Sequence, residues 1–181
     1  MRDLAPLLAR FVLVMAAAAG VLAAADRVPA FVTGTTHGAR VYRTLEEAQA
    51  SVGARLVVPS YYPDSLSWPP ARIEVAPGPP MVAAIRIAAR HGGAGEALVV
   101  CQSIGGAAPP PPWLLPPLQQ LEEARVLVGR RPARLARLLT PGGRVVHDLS
   151  WAQGGRWFTL RYAGEVEDLL RMARATERDA S

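Results

Sequence analysis

The sequence predicts an α+β domain: a mostly antiparallel, curved sheet of about five to seven strands, with an N-terminal and a C-terminal helix packed on it, preceded by a signal or anchor helix. Three observations carry this expectation: a capped amphipathic stretch at 44–53, a series of strand-like runs separated by turn residues, and a return to helical period at 164–175. Helix, then strands, then helix is the α+β order rather than the alternation of βαβ units. With 181 residues the chain suits one domain, large enough to bury a core without disulfides or metals.

The N-terminus comes first. Arg2 and Arg10 precede residues 11–25, which carry no charge, and Ala23-Ala24-Ala25 stands before Asp26 as a small-residue cleavage pattern. As a helix those fifteen residues span about 22 Å, short of a roughly 30 Å hydrocarbon core. Leu7 to Ala9 lengthen the span if Arg10 snorkels, so a cleaved signal peptide and a retained anchor both remain open. Either way the positive-inside rule sends the rest of the chain out of the cytoplasm. Residues 1–25 are therefore read as leader or anchor, residues 26–40 as a flexible spacer without periodicity, residues 41–175 as the folded domain and residues 176–181 as a frayed tail.

Inside the domain, Thr44-Leu45-Glu46-Glu47 is a capping box, and Val41, Leu45, Ala48 and Val52 fall on one helical face before Gly53. Arg55 to Val58 reads as a short extended run, closed by the loop Pro59-Ser60-Tyr61-Tyr62-Pro63, where two prolines exclude a helix. Strands are expected at 71–76, 82–90 and 97–103, the last two joined through His91 to Gly95. Residues 107–117, with Pro109 to Pro112, Trp113, Pro116 and Pro117, are polyproline-like and expected to project from the sheet. Shorter strands follow at 125–129 and 134–139, the second also compatible with a helical turn, and the clearest hairpin joins 144–151 to 156–162. Trp151 and Trp157 are expected in its core. At the end Val166, Leu169, Leu170 and Ala173 share a helical face, with acids early and arginines late to match the helix dipole.

The order Tyr42-Arg43-Thr44-Leu45-Glu46-Glu47-Ala48, then Val57-Val58-Pro59-Ser60-Tyr61-Tyr62-Pro63, then Leu149-Ser150-Trp151 with Gly155-Arg156-Trp157-Phe158-Thr159-Leu160, then Glu167-Asp168-Leu169-Leu170-Arg171-Met172-Ala173, resembles an uncharacterised bacterial domain family. Its members often form the outer half of membrane-anchored anti-sigma factors and look distantly like lipoprotein carriers. The resemblance spans roughly residues 41–175 and implies a fold, without an activity or a cofactor. Tyr62 replaces the usual leucine, the proline-rich insert is unusual, and the Cys/His-bearing cytoplasmic half is absent, so direct inhibition of a sigma factor is not expected.

Charge and composition narrow the function classes. All 20 basic residues are arginine, against 15 acids, which with abundant alanine points to a GC-rich bacterial genome and a net charge of +5. One cysteine, Cys101, excludes an internal disulfide, and three histidines with it make no zinc framework. Neither a nucleophile elbow, a Walker loop, a dinucleotide turn nor a zincin helix is present, and Cys101-Gln102-Ser103 in an apolar run reads as buried structure. His147 and Asp148 alternate across a strand, so no Ser/His/Asp unit is assembled locally. The sharpest signal is Arg125, Arg130, Arg131, Arg134, Arg137 and Arg144, with no acid between Ala124 and Val146. Such a stretch suits an anionic envelope component rather than nucleic acid, or is a solvated face. Trp68 and Trp113, set in proline-rich loops, are candidate anchors for a partner. The expectation is an extracytoplasmic, non-enzymatic binding or sensing module without cofactor, secreted or anchored through residues 4–25. It would touch an unknown protein or the envelope through Trp113, Trp68, Arg130, Arg131, Arg134 and Arg137. A carrier of an apolar ligand such as a lipid chain is the alternative.

Overall fold

The computed structural model describes residues 38–91 and 96–180. The leader, most of the spacer, the tip of the loop after His91 and Ser181 lie outside the described residues. The remainder is one open sheet of eight strands in the order β1-β2-β3-β4-β8-β7-β6-β5, with every neighbouring pair antiparallel. The strands are β1 (Arg40–Tyr42), β2 (Arg72–Ala76), β3 (Met81–Ala88), β4 (Glu96–Ile104), β5 (Gln119–Val128), β6 (Arg131–Leu139), β7 (Val145–Gln153) and β8 (Arg156–Tyr162). Two helices, α1 (Leu45–Val52) and α2 (Val166–Asp179), complete the α+β fold.

Local chemistry explains the ends of these elements. Thr44 accepts the Glu47 amide at 3.2 Å, while the Glu47 carboxylate accepts from the Arg43 amide at 3.3 Å, one residue before the cap. Gly53, at φ 64°, supplies the left-handed stop of α1. Between β7 and β8 the turn is shorter than expected, because pairing continues to Gln153–Arg156. Gly154 and Gly155 hold φ of 56° and 71°, the two positive angles that a two-residue hairpin turn requires.

The sheet has two covered faces. On the inner face α1 and α2 pack on Ile73, Val75, Ile85, Leu98, Val100, Leu149, Trp151, Phe158 and Leu160, with Leu169 and Met172 of α2 completing the core. Trp151 and Phe158 stack at 5.3 Å. The expected tail at 176–181 is corrected here: α2 continues to Asp179, with Thr176 fully buried and donating to the Met172 carbonyl at 2.9 Å. Trp157 is likewise corrected, since alternation turns it to the opposite face, where it is half-buried and its indole donates to Thr159 at 3.0 Å.

The outer face is covered by the connection from β4 to β5, fourteen residues between Ile104 and Gln119 that must bypass β8, β7 and β6. Four inter-strand steps amount to about 19 Å, which a polyproline segment of this length, about 43 Å at full extension, spans with slack. The slack lets the segment fold back over β2, β3 and β4 first. The expected projection is therefore corrected: Leu114 and Leu115 are buried against Ala76, Val82, Ala84, Val99 and Cys101, and Leu118 packs on Ala136, Leu138 and Val146. Prolines lack an N–H, so laying them on a sheet face leaves few donors to satisfy.

The expected extended run at Arg55 to Val58 joins no strand. Side-chain amides stand in for the missing ladder: Gln102 accepts from the Val57 amide at 2.9 Å and donates to its carbonyl at 2.8 Å, and Gln49 accepts from the Leu56 amide at 3.0 Å. Gln102 and Val57 are both buried. Replacing Gln102→Leu orphans two buried backbone groups at about 1–3 kcal/mol each, so urea unfolding should show a loss of about 2–6 kcal/mol, against about 1 kcal/mol for Gln49→Leu, which orphans one part-buried amide. Equal, small losses at both positions would refute this role for Gln102.

Candidate functional site

The candidate residues do not form one surface. Trp68, 50% exposed, leads into β2 and rests on Tyr62 with ring centroids 5.5 Å apart, and Tyr62 packs on the inner core. Burial, with Asp179 nearby, pushes the Tyr62 hydroxyl well above its usual range. Trp113, 37% exposed, stands on the proline-rich connection across the outer face. The arginines divide as well, because residues of unlike parity on β6 face opposite ways. Arg134 lies on the outer face opposite Arg125 and Ser150, while Arg137 lies on the inner face opposite His147.

Half of that arginine run is partnered. Arg131 pairs with Glu177 of α2 at 3.4 Å, Arg134 with Glu123 at 2.8 Å and Gln120 at 2.7 Å, and Arg137 with Glu122 at 3.4 Å. The hydrogen bond from Arg134 holds the Glu123 carboxyl below its usual range, and Arg125 adds to the effect. Arg125, Arg130 and Arg144 make no ion pair among the described residues. Sequence order hid the acids, since Glu122 and Glu123 lie just before the acid-free stretch and reach it only through the β5–β6 register.

That register exposes a second feature. β5 is ten residues long, sits at the end of the sheet, and pairs on one side only among the described residues. Its exposed large apolar side chains are Leu121, 42% exposed, and Leu127, 61% exposed. Two exposed Leu on an open edge are a template for another chain. The opposite edge, β1, has three residues.

Charged groups missed by the sequence reading anchor the outer face. Arg86 pairs with Glu74 at 2.7 Å and Glu96 at 2.6 Å and donates to the Leu114 carbonyl at 2.7 Å. Burial works against the Arg86 charge, but Glu96 and Glu74 outweigh it and raise its pKa. Arg161 grips Asp148 through two bonds of 2.7 and 2.8 Å and donates to the Pro116 carbonyl at 2.8 Å. Each guanidinium thus fastens the connection to a carboxylate on the sheet. The run from Val82 to Ala89, apolar at every position but Arg86, was the signal that both faces of this strand are covered and that a buried partner awaited the charge.

Cys101 lies beneath this connection, and burial pushes its thiol up to about 12. His147 is on the other face, across from Tyr162, while Asp148 is committed to Arg161. Two open clefts, of about 240 and 360 Å³, flank the segment at 55–60 and share Arg55, Val57 and Asp179. No group of three metal-ligating side chains occurs among the described residues, and no helix among them is long and apolar enough to cross a membrane. In comparisons with protein-family models, curated proteins and solved structures, none matches this chain.

Two outcomes follow from the buried thiol. An unfolded thiol titrates near about 8.5, so below that pH both states keep the proton and no stability is lost. Between there and about 12 the unfolded chain gives up the proton and the folded chain retains it, and stability declines by about 1.4 kcal/mol per pH unit. Cys101→Val should remove about 2 kcal/mol of the stability lost between pH 7 and pH 10, read from chemical denaturation at each pH; an identical decline in both proteins would contradict the assignment. Loosening the clamps by Arg161→Met should also raise the rate of Cys101 modification by a soluble disulfide reagent at least about tenfold, since a buried thiol reacts only when uncovered.

Proposed function

We propose that this chain is an extracytoplasmic contact module without catalytic chemistry, exported by its N-terminal apolar segment and acting on another protein through the free edge of β5. The observation that carries the reading is that edge: both sheet faces are covered, yet a ten-residue strand is left open with two exposed leucines. A strand edge offers main-chain hydrogen bonds for affinity and alternate side chains for specificity, without a pocket. The resemblance to outer domains of anchored anti-sigma factors agrees with such a role.

Two rival uses find less support. The arginine run is divided between faces and three of its six members, Arg131, Arg134 and Arg137, are paired with acids, so its attraction for an anionic envelope polymer is reduced. The space between sheet and helices is filled by Trp151, Phe158, Leu160, Leu169 and Met172, all fully buried, where a carried lipid chain would need room.

A photoreactive residue placed at Leu127 in the expressed chain tests the reading, with the same residue at Val41 on the opposite edge as control. Leu127 should give a discrete adduct in the cell envelope and Val41 none, although Val41 is 49% exposed. Equal capture at both positions, or none at Leu127, would remove β5 from consideration.

A further inference from the structure

We infer that the occupant of the β5 edge is β5 of a second copy of this chain, paired antiparallel about a two-fold axis through Ala124, an inference that rests on β5 being the contact edge. Antiparallel pairing of identical edges requires an axis perpendicular to the sheet, which keeps each residue on its own face. Only registers centred on a residue then satisfy the pleat, because a half-step sets inner side chains against outer ones.

The charges of β5 discriminate among those registers. Centring on Glu122, Glu123 or Arg125 stacks a charged side chain on its own copy, and like charges directly opposite oppose pairing. Centring on Val126 sets Arg125 opposite Leu127 of the second copy and leaves the charge unmatched. Centring on Ala124 sets Glu123 opposite Arg125 of the second copy, and symmetry makes that pair twice. The irregularity between Gln120 and Glu122 bounds the regular ladder on one side, so the matched stretch runs over residues 122–126.

The isolated chain leaves a charge mismatch at this place. Arg125 lies directly opposite Arg134, Glu123 is held by Arg134, and no acid pairs with Arg125 among the described residues. A second copy supplies that acid and strings Arg134, Glu123 and Arg125 of the second copy along the outer face with alternating sign. Charges on an edge usually block edge-to-edge association. Here they reject the neighbouring registers and admit one.

Sedimentation equilibrium of the full chain in a mild detergent should show a dimer. Glu123→Arg and Arg125→Glu should each weaken self-association at least about tenfold while retaining parental circular dichroism, since each creates like-charge contacts. Mixing the two variants should restore association as a one-to-one heterodimer, because every reversed side chain then meets an opposite charge. Ala124→Cys should form an intermolecular disulfide on mild oxidation, and Arg125→Cys should not, its own copy lying two positions out of register. A monomer at roughly 100 µM, undiminished dimers of both single variants, or no Ala124→Cys cross-link would overturn the pairing. If Leu127 then captures a different polypeptide, the contact reading survives and self-pairing alone fails; if it captures nothing, both fail.

Discussion

Two arginines on the outer face hold the molecule to its topology. An eight-stranded sheet with apolar residues on both sides must be covered twice, and the two helices among the described residues lie on one side. The second cover is a connection that cannot pair as a strand and cannot fold as a long helix. It stays down because Arg86 and Arg161 each bind a carboxylate of the sheet and a carbonyl of the connection at once. A neutral donor in place of Arg161 would leave Asp148 without a countercharge in a site that is largely closed to water, whereas Glu74 would keep Arg72 at 2.8 Å if Arg86 were neutral.

Such pairs contribute less to net stability than their geometry suggests, since replacing a buried pair with apolar groups is often neutral. Their value here is positional. Leucine contacts alone would allow the connection to slide along the sheet, whereas a guanidinium aimed at one carbonyl fixes a register. Prolines suit the same end, because a stiff segment fixed at Leu114 and Pro116 is fixed along its length. Buried Gln102 performs the matching task on the inner face, where it pins Val57 through both backbone groups in place of a strand partner.

What could be read from sequence follows the range of the interaction. Thr44 to Glu47 and Gly53 were legible because a helix cap is settled within four residues, and the β7–β8 hairpin because its turn and both strands are contiguous. The 3.6-residue period of α2 was equally local, though its end was misplaced where Thr176 turns inward and a polar name suggested fraying. The face of the sheet on which the proline segment lies was not legible. It depends on Leu114 reaching β3 and Pro116 reaching β8, contacts that no local pattern encodes. Likewise the arginines of β6 showed their charge but not their partners, because Glu122 and Glu123 come to them through cross-strand register. The first half of β5 lacks apolar alternation and so gave no strand signal, although that missing alternation is what an edge exposed on both faces looks like.

The open edge and the proline-rich cover are consequences of one another. Had the chain turned back directly after β4, the next strand would have paired beside it and taken the place of β8, leaving the later hairpin at the margin. Carrying the chain past three strands instead reserves the interior of the sheet for β7 and β8, whose Trp151, Phe158 and Leu160 are fully buried, and moves the strand that carries Glu122, Glu123 and Arg125 to the rim. Gln119 to Arg125 could not occupy a central position, because Glu122, Glu123 and Arg125 would then be buried on two faces without partners enough to offset desolvation. The sequence of β5 therefore requires a margin, the margin requires a long crossover, and the crossover covers the face that the helices leave bare.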